Sequence, residues 1–254
     1  PEILGQSSFY AFRTRYAVLI TANAAGGTHK FQKIIKFKNL AQLGQLVSPH
    51  SFRILKKDCL DLPDKVYTKR EIELTDEQHK AYSEMKANAI TILKDKSMTA
   101  VNVLTQLIRL HQITCGHMKT DDDEVIELKN NRLTELMQIL GETTGKVIIW
   151  ANYINDIKAI EKAVKEEFGK ESYCTYYGAT AQEDRQACIT KFQDENNPIR
   201  FFIGNTQTGG YGITLTQAST VIYYSNNYDL EKRIQSEDRA HRIGQKNKVL
   251  YIDL

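Results

Sequence analysis

From Lys146 to the C-terminus, short runs of apolar residues alternate with stretches in which apolar positions recur every three or four residues. The short runs are rich in β-branched and aromatic residues and predict strands. The stretches between them predict amphipathic helices; in the first, Ile157, Ile160 and Val164 share one face. Strands that alternate with helices indicate a parallel sheet covered on both faces, so the pattern predicts an α/β fold. The predicted strands are residues 146–152, 172–178, 199–205, 220–226 and 249–254.

Upstream of Lys146 the pattern changes and predicts helices. Thr75 and Gln78 have the spacing of a capping box, which starts a helix ending at about residue 93. Two more helices are predicted, at about 98–115 and 132–140. We therefore divide the chain into a basic, loop-rich part and a second part with a helical lead-in and a βα core. These parts are residues 1–66 and 67–254, with the lead-in at 75–140 and the core at 146–254.

The stretch from Gln235 to Gln245 combines an amide with two arginines. Read as a helix with about 100° per residue, it places Gln235, Arg239 and Arg242 within roughly 60° of one another. Asp229 is a predicted N-cap for this helix. A guanidinium is always charged and forked, which suits phosphate oxygens. The alternative is a solvated helix face, whose arginines pair with the acidic residues of the same stretch, Glu231, Glu237 and Asp238.

A glycine-rich turn follows the predicted strand at 199–205. Gly209, Gly210 and Gly212 lack a Cβ atom, so backbone amides there are free to approach a ligand closely. Such a turn after a strand is a candidate anion cradle. The alternative is a tight turn that needs glycine only for its shape. Asn152, Gly178 and Thr206 also follow predicted strands, and ligands of parallel sheets gather at the carboxyl ends of strands.

The segment Gln235–Gln245 resembles the last motif of Swi/Snf-type superfamily-two helicases, Q-x-x-D-R-A-x-R-I-G-Q. The chain is similar to this family from about residue 12 to its end. The sequence of its motifs looks most like that of the compact phage and prophage members. The resemblance implies a RecA-like lobe, a three-layer parallel sheet with helices on both faces. It implies that Arg239 and Arg242 act as arginine fingers on the γ-phosphate of ATP. It also implies ATP-site roles for Gln235, Asp238, Gly209, Gly210 and Gly212.

Other segments of the chain carry the family's DNA contacts. The resemblance implies that Asn152, Gly178, Thr180, Arg185 and Thr206 contact the DNA backbone. Thr180 and Glu183 also have capping-box spacing, so helix capping and an exposed arginine are the alternative for Thr180 and Arg185. The chain departs from the family at three positions, Ala151, Gln207 and Thr214, where a serine, a basic residue and an asparagine are usual.

A nucleotide site also needs groups that hold phosphates and Mg²⁺. The P-loop pattern G-x-x-x-x-G-K-[ST] does not occur in the sequence, and Gly141–Val147 has the wrong spacing for it. Phe52–Lys65 resembles the family stretch that ends the first motor lobe, which makes residues 1–66 a remnant of that lobe and its linker. We therefore expect ATP and Mg²⁺ to be held mainly by a missing N-terminal lobe, and the chain alone to be inactive. The expected partners are that lobe and double-stranded DNA; the alternative function is a non-catalytic DNA- or protein-docking module.

Composition changes this picture little. The formal net charge is +3 with a pI near 8.6, which is mildly basic and does not by itself indicate nucleic-acid binding. The four cysteines form no C-x-x-C pair, and His111, Cys115 and His117 lack a fourth ligand nearby, so we predict no metal site and reduced thiols. No apolar run approaches the ~20 residues of a membrane span. We predict an intracellular protein without membrane partners, cytoplasmic in a bacterium or phage and nuclear in a eukaryote.

Overall fold

The computed structural model describes residues 4–23, 30–94, 100–120, 124–209 and 212–254. The chain divides into two compact units, Pro1–Leu60 and Asp61–Leu254. The division falls shortly before the boundary at residue 66 that the sequence suggested.

The first unit contains three helices and a hairpin. Helix α1 is capped by Ser8, whose hydroxyl accepts a hydrogen bond from the amide of Ala11 at 3.2 Å. The two strands pair antiparallel, and every residue of the second strand is exposed, which fits a solvated lysine-rich face. The elements are α1 (Phe9–Tyr16), β1 (Ala17–Asn23), β2 (Lys30–Phe37), α2 (Leu40–Val47) and α3 (Lys56–Cys59), with a 3₁₀ turn at Ser48–His50.

The second unit begins with a strand and a helical lead-in. In chain order the elements are β3 (Lys65–Lys69), α4 (Asp76–Lys94), α5 (Ala100–Cys115), β4 (His117–Lys119), β5 (Val125–Glu127) and α6 (Asn131–Glu142). The capping box at the start of α4 is confirmed: the amide of Thr75 donates to Gln78 Oε1 at 3.1 Å, and the amide of Gln78 donates to Thr75 Oγ1 at 3.3 Å. Gln78 is buried and also donates to the Ile113 carbonyl at 2.8 Å, which ties α4 to α5.

The rest of this unit is a regular βα alternation. In chain order it comprises β6 (Lys146–Trp150), α7 (Ile154–Phe168), β7 (Tyr173–Tyr176), α8 (Gln182–Gln193), β8 (Phe201–Gly204), α9 (Thr206–Gly209), β9 (Ala218–Tyr223), α10 (Leu230–Ala240) and β10 (Val249–Asp253). Six strands form one sheet in the order β3-β10-β9-β6-β8-β7, and all neighbouring pairs are parallel. The five strands predicted from apolar runs are confirmed, each within a few residues of its expected ends.

The sheet is covered on both faces because side chains alternate along each strand. On one face, Val147, Ile149 and Ile203 pack with residues of α6 and α7. On the other face, Ile148, Trp150 and Phe202 pack with residues of α8 and α10 and with the chain before β9. β6 and β8 are completely buried, as expected for central strands of a parallel sheet. The predicted α/β fold with helices on both faces is therefore confirmed.

Three features of this unit differ from the sequence-based expectations. β3 lies at the edge of the sheet beside β10, although no strand was predicted there and the predicted boundary at residue 66 cuts through it; it is short, largely exposed and has no apolar run. A short antiparallel pair, β4 with β5, was not predicted, because each of its strands has only three residues. Cys174 on β7 and Cys188 on α8 form a disulfide, so the expectation of reduced thiols is wrong for this pair.

Within the described ranges, no helix combines the length and apolarity that crossing a bilayer requires.

Candidate functional site

The arginine segment, residues 235–245, is partly helical and partly a turn. Asp229 is the N-cap of α10, as predicted, and its carboxylate accepts hydrogen bonds from the amides of Glu231 and Lys232. The helix ends at Ala240, however, and His241 has φ −90° and ψ 78°. The prediction that one helix face carries Gln235, Arg239 and Arg242 is therefore wrong for Arg242, which lies in the turn that follows.

Gln245 explains why the helix stops. Its side-chain amide is buried and donates to the carbonyls of Thr216, Ala218 and Ala240 at 3.0, 2.9 and 3.1 Å. A helical course would carry Gln245 away from these carbonyls, which belong to the start of β9 and the end of α10. Gly244 follows the turn with φ +98°, a conformation that glycine adopts without strain.

The two arginines still come together. Arg239 is half-buried, and its Nη1 donates to the carbonyl of Ile213 at 3.3 Å. Burial and the positive charge of Arg242 lower the pKa of Arg239, and the negative charge of Asp238 partly offsets them. Arg242 is exposed. Two neighbouring guanidiniums, of which Arg242 disfavours the charge of Arg239, create a local positive field that suits a polyanion.

The acidic residues of the same stretch have their own contacts. Glu231 accepts a hydrogen bond from Gln235 Nε2 at 2.8 Å. Glu237 accepts from Arg233 Nε and Lys65 Nζ, both at 2.9 Å, and Lys65 also lies 3.4 Å from Asp238. An ion pair with Glu237 is thus formed by Arg233, which precedes the arginine segment.

Gln235 presents its amide oxygen at the same site. The Nε2 group is used by Glu231, whereas Oε1 is buried and has no hydrogen-bond partner among the described residues. Buried polar atoms are nearly always hydrogen-bonded, so this oxygen is a candidate acceptor for a ligand.

The glycine turn has two different reasons for its glycines. A Cβ atom on Gly209 would lie 2.6 Å from ring carbons of Trp150, so glycine is needed there for close packing. Gly212 has φ +74°, so glycine is needed there for backbone conformation. Gly210 lies outside the described residues. At Gly209 and Gly212 the geometry thus agrees with the alternative of a glycine turn required for shape.

A second set of residues, the carboxyl-end rim, lies where the central strands end. The amide of Asn152, after β6, donates to Ser225 Oγ at 2.7 Å, and the side chain of Asn205, after β8, donates to the Asn152 carbonyl at 2.8 Å. Thr206 follows directly and is buried, while Gly178, after β7, is exposed. We define the rim as Asn152, Gly178, Thr180, Asn205, Thr206 and Ser225.

Thr180 and Arg185 both serve the turn after β7. The predicted capping box does not form: α8 begins at Gln182 with Ala181 as N-cap and no side-chain cap. The Thr180 side chain instead points back toward the turn after β7, where its Oγ1 accepts a hydrogen bond from the amide of Tyr177 at 3.2 Å. Arg185 Nη2 donates to the carbonyls of Tyr177 and Gly178 at 3.0 and 2.8 Å. Both side chains therefore stabilise the turn that presents Gly178.

The rim lies at the carboxyl ends of the strands, and part of the arginine segment lies at the opposite, amino ends. Glu237 contacts Lys65, the first residue of β3, and Gln245 contacts Ala218, the first residue of β9. The C-terminal part of the arginine segment therefore lies toward the amino ends of the strands. The chain from Thr206 to Ile213 connects the two edges, since Thr206 belongs to the rim and Ile213 contacts Arg239.

The chain is similar to known helicase domains in sequence and in fold. The family described as helicase conserved C-terminal domain matches residues 128–244. The structure is similar to the SWI2/SNF2 ATPase core of Sulfolobus solfataricus in complex with double-stranded DNA, with a TM-score of 0.61 and 26% sequence identity, covering 100% of this chain and 52% of that chain. Residues 128–244 are identified as a helicase C-terminal domain, and the structure is similar to ATPases of the SWI2/SNF2 type. The six-stranded parallel sheet, to which β3 and β10 on either side of this range also belong, is the RecA-like sheet of such domains, as the resemblance implied.

Two curated relatives extend the similarity of this helicase domain to longer proteins. The chain is 29% identical over 250 residues to the CHD3-type chromatin-remodeling factor CHR7 of Arabidopsis thaliana, covering 91% of this chain and 20% of that protein. It is 28% identical over 224 residues to the uncharacterized ATP-dependent helicase MG018 of Mycoplasma genitalium, covering 87% of this chain and 21% of that protein. The chain thus spans about a fifth of the length of the curated relatives it matches.

The histidines and cysteine of the lead-in have structural partners. His111 Nδ1 lies 2.9 Å from the hydroxyl of Tyr153, and burial lowers the pKa of His111. His117 Nδ1 lies 3.2 Å from Asp156 Oδ1, with both side chains buried. Burial raises the pKa of Cys115 to about 12, which keeps it a thiol. In the part of the helicase domain and its lead-in that the structure describes, no three metal-ligating side chains converge.

Sequence reasoning missed several residues that organise the site. Asp156 is buried, and its carboxylate accepts a hydrogen bond from Ser225 Oγ at 2.7 Å, which holds this rim residue in place. Glu237 and Gln245 hold the arginine segment. The sequence did show Gln245 within the family motif and Glu237 on the predicted helix. Their roles were not predictable, because their partners are distant in sequence.

Proposed function

We propose that this helicase domain is the C-terminal motor lobe of an ATP-dependent translocase on double-stranded DNA. In this proposal Arg239 and Arg242 act as arginine fingers at an ATP site shared with an N-terminal lobe. The single observation that carries the proposal is the half-buried guanidinium of Arg239, which donates to the Ile213 carbonyl and whose pKa is lowered by burial and by the positive charge of Arg242. Concentrating positive charge in this way is unfavourable without an anionic ligand.

The residues of this chain supply charge and hydrogen bonds to phosphoryl transfer. Negative charge spreads over the γ-phosphoryl oxygens in the transition state, and an inserted arginine accelerates such reactions by about 10³-fold or more. Arg239 and Arg242 neutralise this charge, and the buried Oε1 of Gln235 accepts a hydrogen bond from the nucleotide or its attacking water. The described residues do not fit a magnesium site, so we assign no step to the metal in this lobe.

DNA contact is assigned to the carboxyl-end rim. Gly178 is exposed and Asn152 is partly exposed, and the hydrogen bonds around them fix the turns in place. Backbone amides and small polar side chains position a protein on phosphates without reading sequence. Segment 206–213 connects the rim to Arg239, which supports a coupling of ATP hydrolysis to movement along DNA.

The test uses the natural polypeptide that contains residues 1–254. DNA-stimulated ATP hydrolysis is measured for wild type, Arg239→Ala and Arg70→Ala, the last being a surface arginine 3.8 Å from Glu135. We expect Arg239→Ala to lower kcat by about 10³-fold with DNA affinity retained, and Arg70→Ala to behave as wild type. We also expect the 254-residue chain alone to show no turnover.

Two results would contradict the proposal. Unchanged hydrolysis in Arg239→Ala would remove the finger role and favour the alternative of a non-catalytic docking module. DNA-stimulated hydrolysis by the purified 254-residue chain would show that the ATP site is not shared with another lobe.

A further inference from the structure

Helix α10 carries two polar stripes on opposite sides. Arg233 and Glu237 are four residues apart and form one stripe, joined by an ion pair of 2.9 Å. Gln235 and Arg239 form the other stripe, roughly 160° around the helix axis. The second stripe faces the proposed nucleotide site. The first, which we call the anchoring stripe, has no role in the function proposed above.

The anchoring stripe holds α10 to the edge of the sheet. Glu237 is buried, and its carboxylate accepts three hydrogen bonds: from Arg233 Nε, from Lys65 Nζ and from the hydroxyl of Tyr67, at 2.9, 2.9 and 2.8 Å. Lys65 and Tyr67 belong to β3. Arg233 in turn binds Asp253 at the end of β10. The edge strand and the arginine helix are therefore joined through one carboxylate.

The turn after α10 has its own attachment to the same part of the chain. His241 Nε2 lies 2.7 Å from the carbonyl of Pro63, two residues before β3 begins. His241 directly follows the helix and directly precedes Arg242. Residues 63–67 thus hold the helix on one side of Arg239 and the turn on the other.

This arrangement is poorly explained by stability alone. Burial of ion pairs costs desolvation, and apolar replacements of such pairs are often neutral or stabilising. Burial alone would raise the pKa of Glu237, but the hydrogen bonds from Lys65, Tyr67 and Arg233 outweigh it and lower that pKa. The carboxylate is therefore held charged and directional, as expected of a group that fixes orientation.

We propose that Lys65 and Tyr67 are positioning residues for Arg239 and Arg242, acting through Glu237. The inference rests on the proposed finger role of the two arginines and adds the part of the chain that aims them. A displacement of about 1 Å at a reacting group costs on the order of 10²-fold in rate, so loss of one anchor is expected to lower turnover.

The test compares two lysines of the same strand in the natural polypeptide that contains residues 1–254. Lys65→Met removes the contact with Glu237, whereas Lys69→Met removes an exposed ion pair with Glu71 at 2.8 Å. We expect Lys65→Met to lower kcat for ATP by about tenfold while KM changes less than about twofold, because a positioning defect acts in the transition state. Lys65→Arg should restore most of the activity, and Lys69→Met should match wild type.

Tyr67→Phe keeps the test decisive if Lys65→Met fails to fold. It removes only the hydroxyl, which donates to Glu237. The matched control is Tyr173→Phe, which removes a tyrosine–glutamate hydrogen bond of the same kind, to Glu161, remote from α10. We expect a kcat loss in Tyr67→Phe alone, with similar melting temperatures for both variants. Equal kcat in both, or a change in KM instead of kcat, overturns the positioning role. Arg239→Ala is measured in the same assay. If this variant still hydrolyses ATP at the wild-type rate, the finger role is wrong. If only Arg239→Ala loses activity, the finger role stands and the positioning role is wrong.

Discussion

At the carboxyl-end rim, polar groups bond mainly to one another and to backbone, whereas the arginine segment gathers like charges at one place. Asn152, Asn205 and Ser225 complete each other's hydrogen bonds, with Asp156 beneath them. In the arginine segment the positive charge of Arg242 instead lowers the pKa of Arg239, while Glu237, on the far side of the same helix, accepts a hydrogen bond from Lys65. The difference shows how one sheet supports two tasks, rigid presentation of backbone at one edge and presentation of charge at the other.

The largest expected effect concerns the support of the rim. Asp156→Ala removes the acceptor of Ser225 and the partner of His117, and we expect it to lower the free energy of unfolding by about 3 kcal/mol. Urea denaturation followed by circular dichroism measures this change. Asp64→Ala is the control, since Asp64 and Lys248 form a pair of largely exposed side chains. Equal stability of the two variants would mean that the rim does not depend on its buried network.

The next effect concerns the segment between the two regions. Gly209→Ala places a Cβ atom 2.6 Å from Trp150, and we expect a loss of about 1–3 kcal/mol from overpacking. Gly141→Ala is the matched control, because nothing lies within 4 Å of a Cβ there and Gly141 is inside α6, where alanine is the better helix former. Urea midpoints compare the two, and a neutral Gly209→Ala would show that the turn moves aside easily.

A third effect separates the two edges by function. A Cβ atom at Gly178 meets nothing within 4 Å, so Gly178→Asp adds a negative charge to the rim without a clash. We expect DNA affinity to fall about tenfold, more at low salt, with kcat at saturating DNA unchanged. Fluorescence anisotropy with a labelled duplex measures the affinity, and Gly178→Ala serves as the uncharged control. An affinity loss in both variants alike, or in neither, would contradict DNA contact at this turn.

The smallest effect is the pH dependence of the anchoring stripe. Because the pKa of Glu237 is lowered in the folded state, its contribution to stability is complete above the ordinary glutamate value of about 4.3 and is lost as the pH falls through the folded pKa. Glu237→Gln lacks this titration. We expect the stability advantage of wild type over Glu237→Gln to shrink below about pH 4. Urea midpoints at several pH values measure it, and parallel profiles would contradict it.

The sequence predicted those parts of the fold that depend on local pattern. Central strands such as β6 and β8 are apolar along their whole length, and the caps at Thr75 and Asp229 are set within a few residues, so all were predictable. β3 was missed because an edge strand with one covered face needs no apolar run. Its strand character comes from pairing with β10, nearly two hundred residues later in the chain.

The candidate site was predictable in composition but not in geometry. The motif predicted a site pair of Arg239 and Arg242, but the helical period wrongly placed Arg242 on α10, which ends at Ala240. The period could not show this end, because the carbonyls of Thr216 and Ala218 that bind Gln245 are distant in sequence. Asp156, Glu237 and the Cys174–Cys188 disulfide depend on tertiary proximity. The roles of the predicted ATP and DNA contacts stay predictions until the variants above are measured.

Trp150 lies against Gly209, and it is the chain's single tryptophan. Its indole is fully buried at the end of β6, next to Gly209 and in one buried cluster with Ile213, two described residues of segment 206–213. Any shift of that segment on nucleotide or duplex engagement changes the surroundings of one chromophore. In this chain the emission of the native indole therefore reports the motion that would join the two edges of the sheet, without an attached dye.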